Sequence, residues 1–153
     1  MPGPDDEAEL LAANERFYDA FARGDFVAME GLWSERDTVL CLHPGWHLLR
    51  GRDRVLASWR GILRNPTPVR VYDVIAELIG DVGLILCCEE LPEATLAASN
   101  LFVREGGRWR MLHHHAGLVP RRAARVPQDP DDHRRRRRRR DRRRHPRARR
   151  SQQ

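Results

Sequence analysis

The chain has no lysine, and all 28 of its basic residues are arginine. That bias reads as the codon usage of a GC-rich genome rather than as selection for guanidinium chemistry. Cysteine is scarce too: Cys41, Cys87 and Cys88 lie in apolar runs, odd in number and without zinc-type spacing. Neighbours on a strand point to opposite faces, so a Cys87–Cys88 bond would be strained. Reduced, buried thiols in a cytosolic protein are expected instead. No apolar run is long enough to span a bilayer. The acidic start Met1-Pro2-Gly3-Pro4-Asp5-Asp6-Glu7 has neither the basic nor the apolar part of a secretory signal, so a cytoplasmic location without membrane contact is expected. No internal repeat is present.

What is there divides by charge. At 153 residues the chain has room for one domain with a substantial core. Residues 1–120 carry 12 arginines against 18 acids, whereas residues 121–153 carry 16 arginines against 4 acids. The expected organisation is therefore an acidic domain over 1–120 and a disordered arginine-rich tail over 121–153, with seven consecutive arginines at 134–140. The tail is either a non-specific polyanion tether or a neutral extension. It lacks the interleaved aromatics that base stacking requires, which argues against sequence-specific nucleic-acid recognition.

Periodicity gives the elements. Leu10, Asn14, Phe17 and Phe21, with Leu11 and Tyr18 on the adjoining stripe, predict a first helix that Gly24 closes. Asp25 caps a short second helix carrying Phe26, Met29, Leu32 and Trp33. Residues 38–43 predict a strand, and 44–51 a loop. Val55, Leu56, Trp59, Ile62 and Leu63 predict a third helix. Four β-type runs follow at 69–79, 82–91, 95–104 and 108–116, and their short connections imply antiparallel pairing. Helices first and strands after predict an α+β fold in which three N-terminal helices cover one face of a curved antiparallel sheet.

The run Thr38–His43 ends at Pro44-Gly45, a strong turn signal, and leaves His43 and Trp46 at a strand mouth. If His43 faces a pocket, Val39 and Cys41 share its side. His43 has a near-neutral reference pKa suited to proton transfer. Asn100 on a strand needs polar partners, and a ligand is one source of them.

These motifs carry a resemblance. Asn14-Glu15-Arg16-Phe17-Tyr18-Asp19-Ala20-Phe21, Gly24-Asp25, His43-Pro44-Gly45-Trp46, Gly51-Arg52, Ser58-Trp59, Asn100-Leu101-Phe102 and Trp109-Arg110-Met111-Leu112-His113-His114-His115 stand in the order of the SnoaL-like bacterial members of the nuclear transport factor two-like superfamily. The match covers roughly residues 8–118. It implies a cone-shaped α+β fold whose open end holds a small-molecule pocket. Against the ketosteroid isomerases, His43 takes the place of the general-base aspartate and Asn100 that of the protonated oxyanion-hole aspartate. The oxyanion-hole tyrosine falls at Phe17, with Tyr18 one residue off. The same alignment turns Leu112, His114 and Ala116 inward, unless the register slips by one. Trp109, Met111, His113 and His115 then lie on the outer sheet face, where many members dimerise.

An imidazole base, one amide donor and a lost tyrosine disfavour steroid isomerisation while leaving general proton transfer open. The amide at Asn100 weakens a polyketide-cyclase reading, and no Asp-Arg-Asp set of the epoxide-hydrolase kind can be assembled. The expected catalytic residues are His43, His114 and Asn100. Phe17, Tyr18, Cys41, Trp46, Trp59, Phe102 and Leu112 are the expected ligand-binding residues. Five histidines, at 43, 47, 113, 114 and 115, raise the question of a metal. His113 and His115 should face away from His43, however, and no carboxylate has ligand spacing with them, so no metal or cofactor is expected. Two functions stay open: an acid/base enzyme acting on a carbonyl-type metabolite with His43 as base, or a non-catalytic ligand-binding or homodimeric scaffold with the tail as a polyanion tether.

Overall fold

A computed structural model describes residues 4–120. The expected tail, 121–153, lies outside the described residues. Helix α1 (Pro4–Arg23) opens on Asp5, Asp6 and Glu7, whose charges suit the positive end of the helix dipole. It buries Leu10, Ala13, Asn14, Phe17 and Tyr18 along one stripe. Gly24 ends it at φ +65°, and the Asp25 N–H reaches back to the Ala20 carbonyl at 2.9 Å. The Asp25 carboxylate then accepts from the Ala28 N–H at 2.9 Å and caps α2 (Phe26–Leu32), as predicted. The third helix, α3 (Arg52–Ile62), buries Val55, Leu56, Ser58 and Trp59.

The strands are β1 (Leu40–Leu42), β2 (Leu49–Arg50), β3 (Arg70–Ile79), β4 (Val82–Glu90), β5 (Thr95–Glu105) and β6 (Arg108–Leu118). They form one six-stranded sheet in the order β2-β1-β6-β5-β4-β3. It is curved and unclosed, and all three helices pack against it, which makes the expected α+β cone. The four long strands pair as antiparallel neighbours, whereas β1 runs parallel to β6, with Cys41 opposite His114. β2 was expected as loop; two residues are too few to show a period of two.

One expectation about facing is corrected. Phe102 pairs with Met111 and Leu101 with His113, so Leu112 has no partner and forms a bulge. The extra residue reverses the alternation on its N-terminal side. Trp109 (5 % exposed) and Met111 (0 %) therefore point into the core and not onto the outer face. The inward place expected for Leu112 is taken by Met111, and Leu112 is half-buried at the core's margin. His114 and Ala116, beyond the bulge, are buried, and His115 is exposed.

α1 sits unusually close to β4. A Cβ built on Gly83 would lie 2.5 Å from Leu10 Cδ1, inside any real contact, and Leu10 is fully buried. Glycine at 83 is what allows Asn14 and Tyr18, one and two turns further along α1, to reach the sheet's polar groups. Gly83→Val should cost about 1–3 kcal/mol in urea unfolding through overpacking. Leu10→Ala in the same chain should return part of that cost, giving a non-additive cycle. Strictly additive losses would show that the approach is not limiting.

Candidate functional site

The core beneath the helices is polar at its centre. His43, just past β1, is 6 % exposed, and its Nε2 lies 2.8 Å from Ser58 Oγ on α3. The Ser58 hydroxyl donates to the Val55 carbonyl at 2.7 Å, a bond available because the two are three apart on the helix. Its one proton is therefore committed, and Ser58 must accept from His43 Nε2–H. This fixes the tautomer and leaves the lone pair on His43 Nδ1. Trp46, half-exposed at the mouth, and the buried Trp59 both meet the His43 ring edge-on at 4.9 Å. Cys41 Sγ lies 3.6 Å from Nε2, and burial pushes its thiol up to about 12, so it stays protonated. Burial likewise lowers His43 to about 4, making it neutral at pH 7.

His114 lies next to this group, its ring 6.5 Å from that of His43 and 5.1 Å from Phe17. Its Nδ1–H donates to Asn100 Oδ1 at 2.6 Å. The Asn100 amide N–H groups go to Asn14 Oδ1 at 2.8 Å and to the Tyr18 hydroxyl at 3.1 Å. Tyr18 in turn donates to Glu89 Oε1 at 2.7 Å and touches Cys87 Sγ at 3.3 Å. Asn100 is wholly buried and Glu89 is 2 % exposed. Burial pushes His114 down to about 3, helped by His43, and raises Glu89 and, much further, Tyr18. With His114 held neutral by burial, the 4.0 Å approach of its Nε2 to Glu89 Oε1 is not an ion pair.

The structure brings together His43, Cys41, Trp46, Trp59, Phe17, His114, Asn100 and Tyr18 in one cluster. Phe102 is buried two residues beyond Asn100 on the same strand, and Leu112 is displaced by its bulge. Sequence reasoning missed Glu89, Ser58 and the polar role of Asn14. Glu89 was within reach: it continues the inward positions Gly83, Ile85 and Cys87 of β4. Asn14 gave the same kind of signal, an amide on an otherwise apolar helical stripe. Ser58 gave none, since a helical serine beside tryptophan is commonplace. Among the described residues no three His, Cys, Asp or Glu side chains are grouped to hold a metal, and no helix is long and apolar enough to cross a membrane.

The proton states make opposite demands on stability. His43 and His114 have folded-state values below the ordinary 6.5, so the unfolded chain takes up protons first as pH falls. Above pH 6.5 they are neutral in both states; below it the fold loses stability, on the order of 3 kcal/mol by pH 4 from His43 alone, and the loss from His114 continues to about pH 3. Glu89, raised, runs the other way: its contribution is greatest below the ordinary carboxylate value and declines as pH rises toward its folded value. His43→Gln should therefore flatten the acid limb of a stability–pH profile, and Glu89→Gln should gain on the parent as pH rises. Parallel profiles for parent and variants would contradict these protonation states.

A SnoaL-like domain profile matches residues 10–121. A Streptomyces avermitilis protein, provisionally described as a dehydratase of the NTF2-like family, superposes with a TM-score of 0.71 at 34 % identity, covering 76 % of this chain and 99 % of that one. A Thiobacillus denitrificans protein, provisionally described as a calcium/calmodulin-dependent protein kinase type II association domain, gives 0.66 at 29 % identity over 78 % and 97 %. The F-box protein SKIP8 of Arabidopsis thaliana is 25 % identical over 114 residues, 72 % of this chain and 49 % of its own. The chain thus spans about half the length of that relative. With its helices, its curved sheet and this match along the whole of the described core, the chain belongs to the SnoaL-like family of NTF2-like proteins.

Proposed function

We propose that the cluster is a pocket for a small carbonyl-type molecule and that His43 moves a proton there. One observation carries the reading: a neutral imidazole held by Ser58, whose Nδ1 lone pair meets only the weak donor Cys41 Sγ at 4.0 Å, beside a buried indole N–H that has no partner among the described residues. That indole is Trp59, 2 % exposed and 4.9 Å from His43 between ring centroids. A buried donor left unpaired costs about 1–3 kcal/mol, and a ligand's carbonyl oxygen would satisfy it. In the proposed step His43 Nδ1 takes a proton from the carbon next to the carbonyl, giving imidazolium and enolate. The Trp59 N–H and the polarised His114–Asn100 pair face the developing charge, and Asn100 positions His114. Phe17, Tyr18, Cys41, Trp46, Phe102 and Leu112 complete or border the pocket. The Streptomyces avermitilis relative, provisionally described as a dehydratase, supports the same class of chemistry.

The test is exchange of α-protons for deuterium in a library of small ketones and aldehydes, followed by NMR in D2O. The active chain should accelerate exchange for a subset, and His43→Gln should lower that rate about 100-fold or more while the thermal midpoint near pH 7 moves little. Unchanged exchange in the variant would remove His43 from the chemistry.

A second reading has its own support. Ile75 and Leu86, paired across β3 and β4, are 39 % and 43 % exposed on the outer sheet face, and Ile79 is 63 % exposed. These side chains, in place of Trp109 and Met111, would form the seam of a homodimer that serves as a ligand-binding or scaffold unit. Leu86→Glu should convert a sedimenting dimer to monomer at micromolar concentration. A parent that sediments only as monomer would dismiss the seam.

A further inference from the structure

A cleft of about 460 Å³ lies where α1, the end of α2 and the turn between β5 and β6 meet. It shares no lining residue with the His43 cluster. Glu9, Ala12 and Arg16 come from successive turns of one face of α1, and Arg108, Trp109 and Arg110 from the start of β6. A Cβ added at Gly31 or Gly107, which also line it, would meet nothing within 4 Å, so the cleft has room at both. Its charges are unbalanced: three guanidiniums line it against the single carboxylate of Glu9. That carboxylate already accepts from Arg104 at 2.8 Å, and Arg104 also takes Asp6. Arg110 donates to the Gly31 carbonyl, and the nearby Glu105 is paired with Arg36 at 3.1 Å. Arg16 and Arg108 are exposed, and neither has a partner among the described residues. In a domain with 12 arginines against 18 acids, the fold has thus brought two unpaired guanidiniums from distant elements to one cleft.

We propose that this cleft binds a small organic phosphate monoester, its phosphate on Arg16, Arg108 and Arg110 and its apolar body against Ala12, Leu32 and Trp109. Guanidinium forks match phosphate oxygens in pairs, and a cleft lined by one sign of charge concentrates the opposite sign. A monoester brings about two negative charges and three acceptor oxygens to the three arginines, where a carboxylate brings one charge and two oxygens. The volume falls within the range of roughly 300–1,000 Å³ usual for small-molecule sites, and the apolar side gives an organic body something that a bare ion cannot use. The site is independent of the His43 reading and holds whether or not His43 moves a proton.

NMR titration of the full, nitrogen-15-labelled chain with phenyl phosphate, inorganic phosphate, benzoate and benzyl alcohol tests it, read at the Gly31 and Gly107 amides and the Trp109 indole N–H. These groups line the cleft, so anions gathered by arginines elsewhere on the chain do not move them. Phenyl phosphate should bind about 3- to 10-fold tighter than either benzoate or inorganic phosphate, and benzyl alcohol should leave the signals in place. Arg16→Gln with Arg108→Gln should weaken phenyl phosphate about 10-fold or more, and about 0.5 M salt should weaken it in the parent. Both positions are exposed, so the thermal midpoint should hold. Ala12→Glu, a change that a helix tolerates, sets a carboxylate among the arginines and should abolish the shifts by a second route. Phenyl phosphate shifts indifferent to the double variant, or matched by benzyl alcohol, would overturn the proposal. Benzoate binding as tightly would overturn the phosphate assignment, and inorganic phosphate binding as tightly would overturn the organic one.

Discussion

The fully buried amide of Asn100 is the contact on which the rest of the site depends. An interior amide must place two donors and an acceptor, and each one left over costs about 1–3 kcal/mol. Here the acceptor goes to His114 on β6 and the donors to Asn14 and Tyr18 on α1. One side chain on β5 therefore fixes the rotation of α1 about its axis, the tautomer of a histidine on the neighbouring strand and, through Tyr18, the position of Glu89 on β4. The glycine at 83 belongs to the same constraint, because any Cβ there would strike Leu10 and hold the helix off the sheet.

Such a centre is not how a core is made most stable. Apolar side chains of equal volume commonly match or exceed a buried polar network in stability, and this one keeps a carboxyl, two imidazoles and a phenol out of water. Desolvation eases the conflict by favouring the neutral form of each group: it raises the Glu89 carboxyl and lowers both histidines. The outcome is an interior with neutral imidazoles near α3 and, near α1, a carboxyl biased toward its protonated form.

The helices and long strands were legible because their apolar residues follow a single period. The Gly24-Asp25 stop and cap were legible because both act through local backbone chemistry. Facing on β6 was not, since one unpaired residue at 112 reverses everything before it and leaves no mark in the alternation. The resemblance singled out His43, Asn100 and His114, but not the bonds among them. Those bonds join residues far apart in the chain, as Asn14 and Asn100 are, and no period in a sequence encodes a pairing across strands. Glu89 was legible in principle, since it continues the inward positions Ile85 and Cys87 of β4.

The two bulges divide the labour of shaping the cone. The one at Leu112 turns Met111 and Trp109 into the core and closes the sheet beneath α2, where Trp33 bridges to Met111. The one at Asp73 does the opposite. A non-glycine residue at positive φ costs on the order of 1 kcal/mol, and here it sits on an edge strand, where no further strand has to follow the distortion. It lies beside the cleft of about 350 Å³ that Val71 and Val74 line together with Asn14 and Tyr18 of α1. A sheet optimised for closure would place its bulges at corners; this one places a strained residue beside an open cleft. That opening argues for a site that exchanges a ligand with the surroundings and against a polar core retained only for packing.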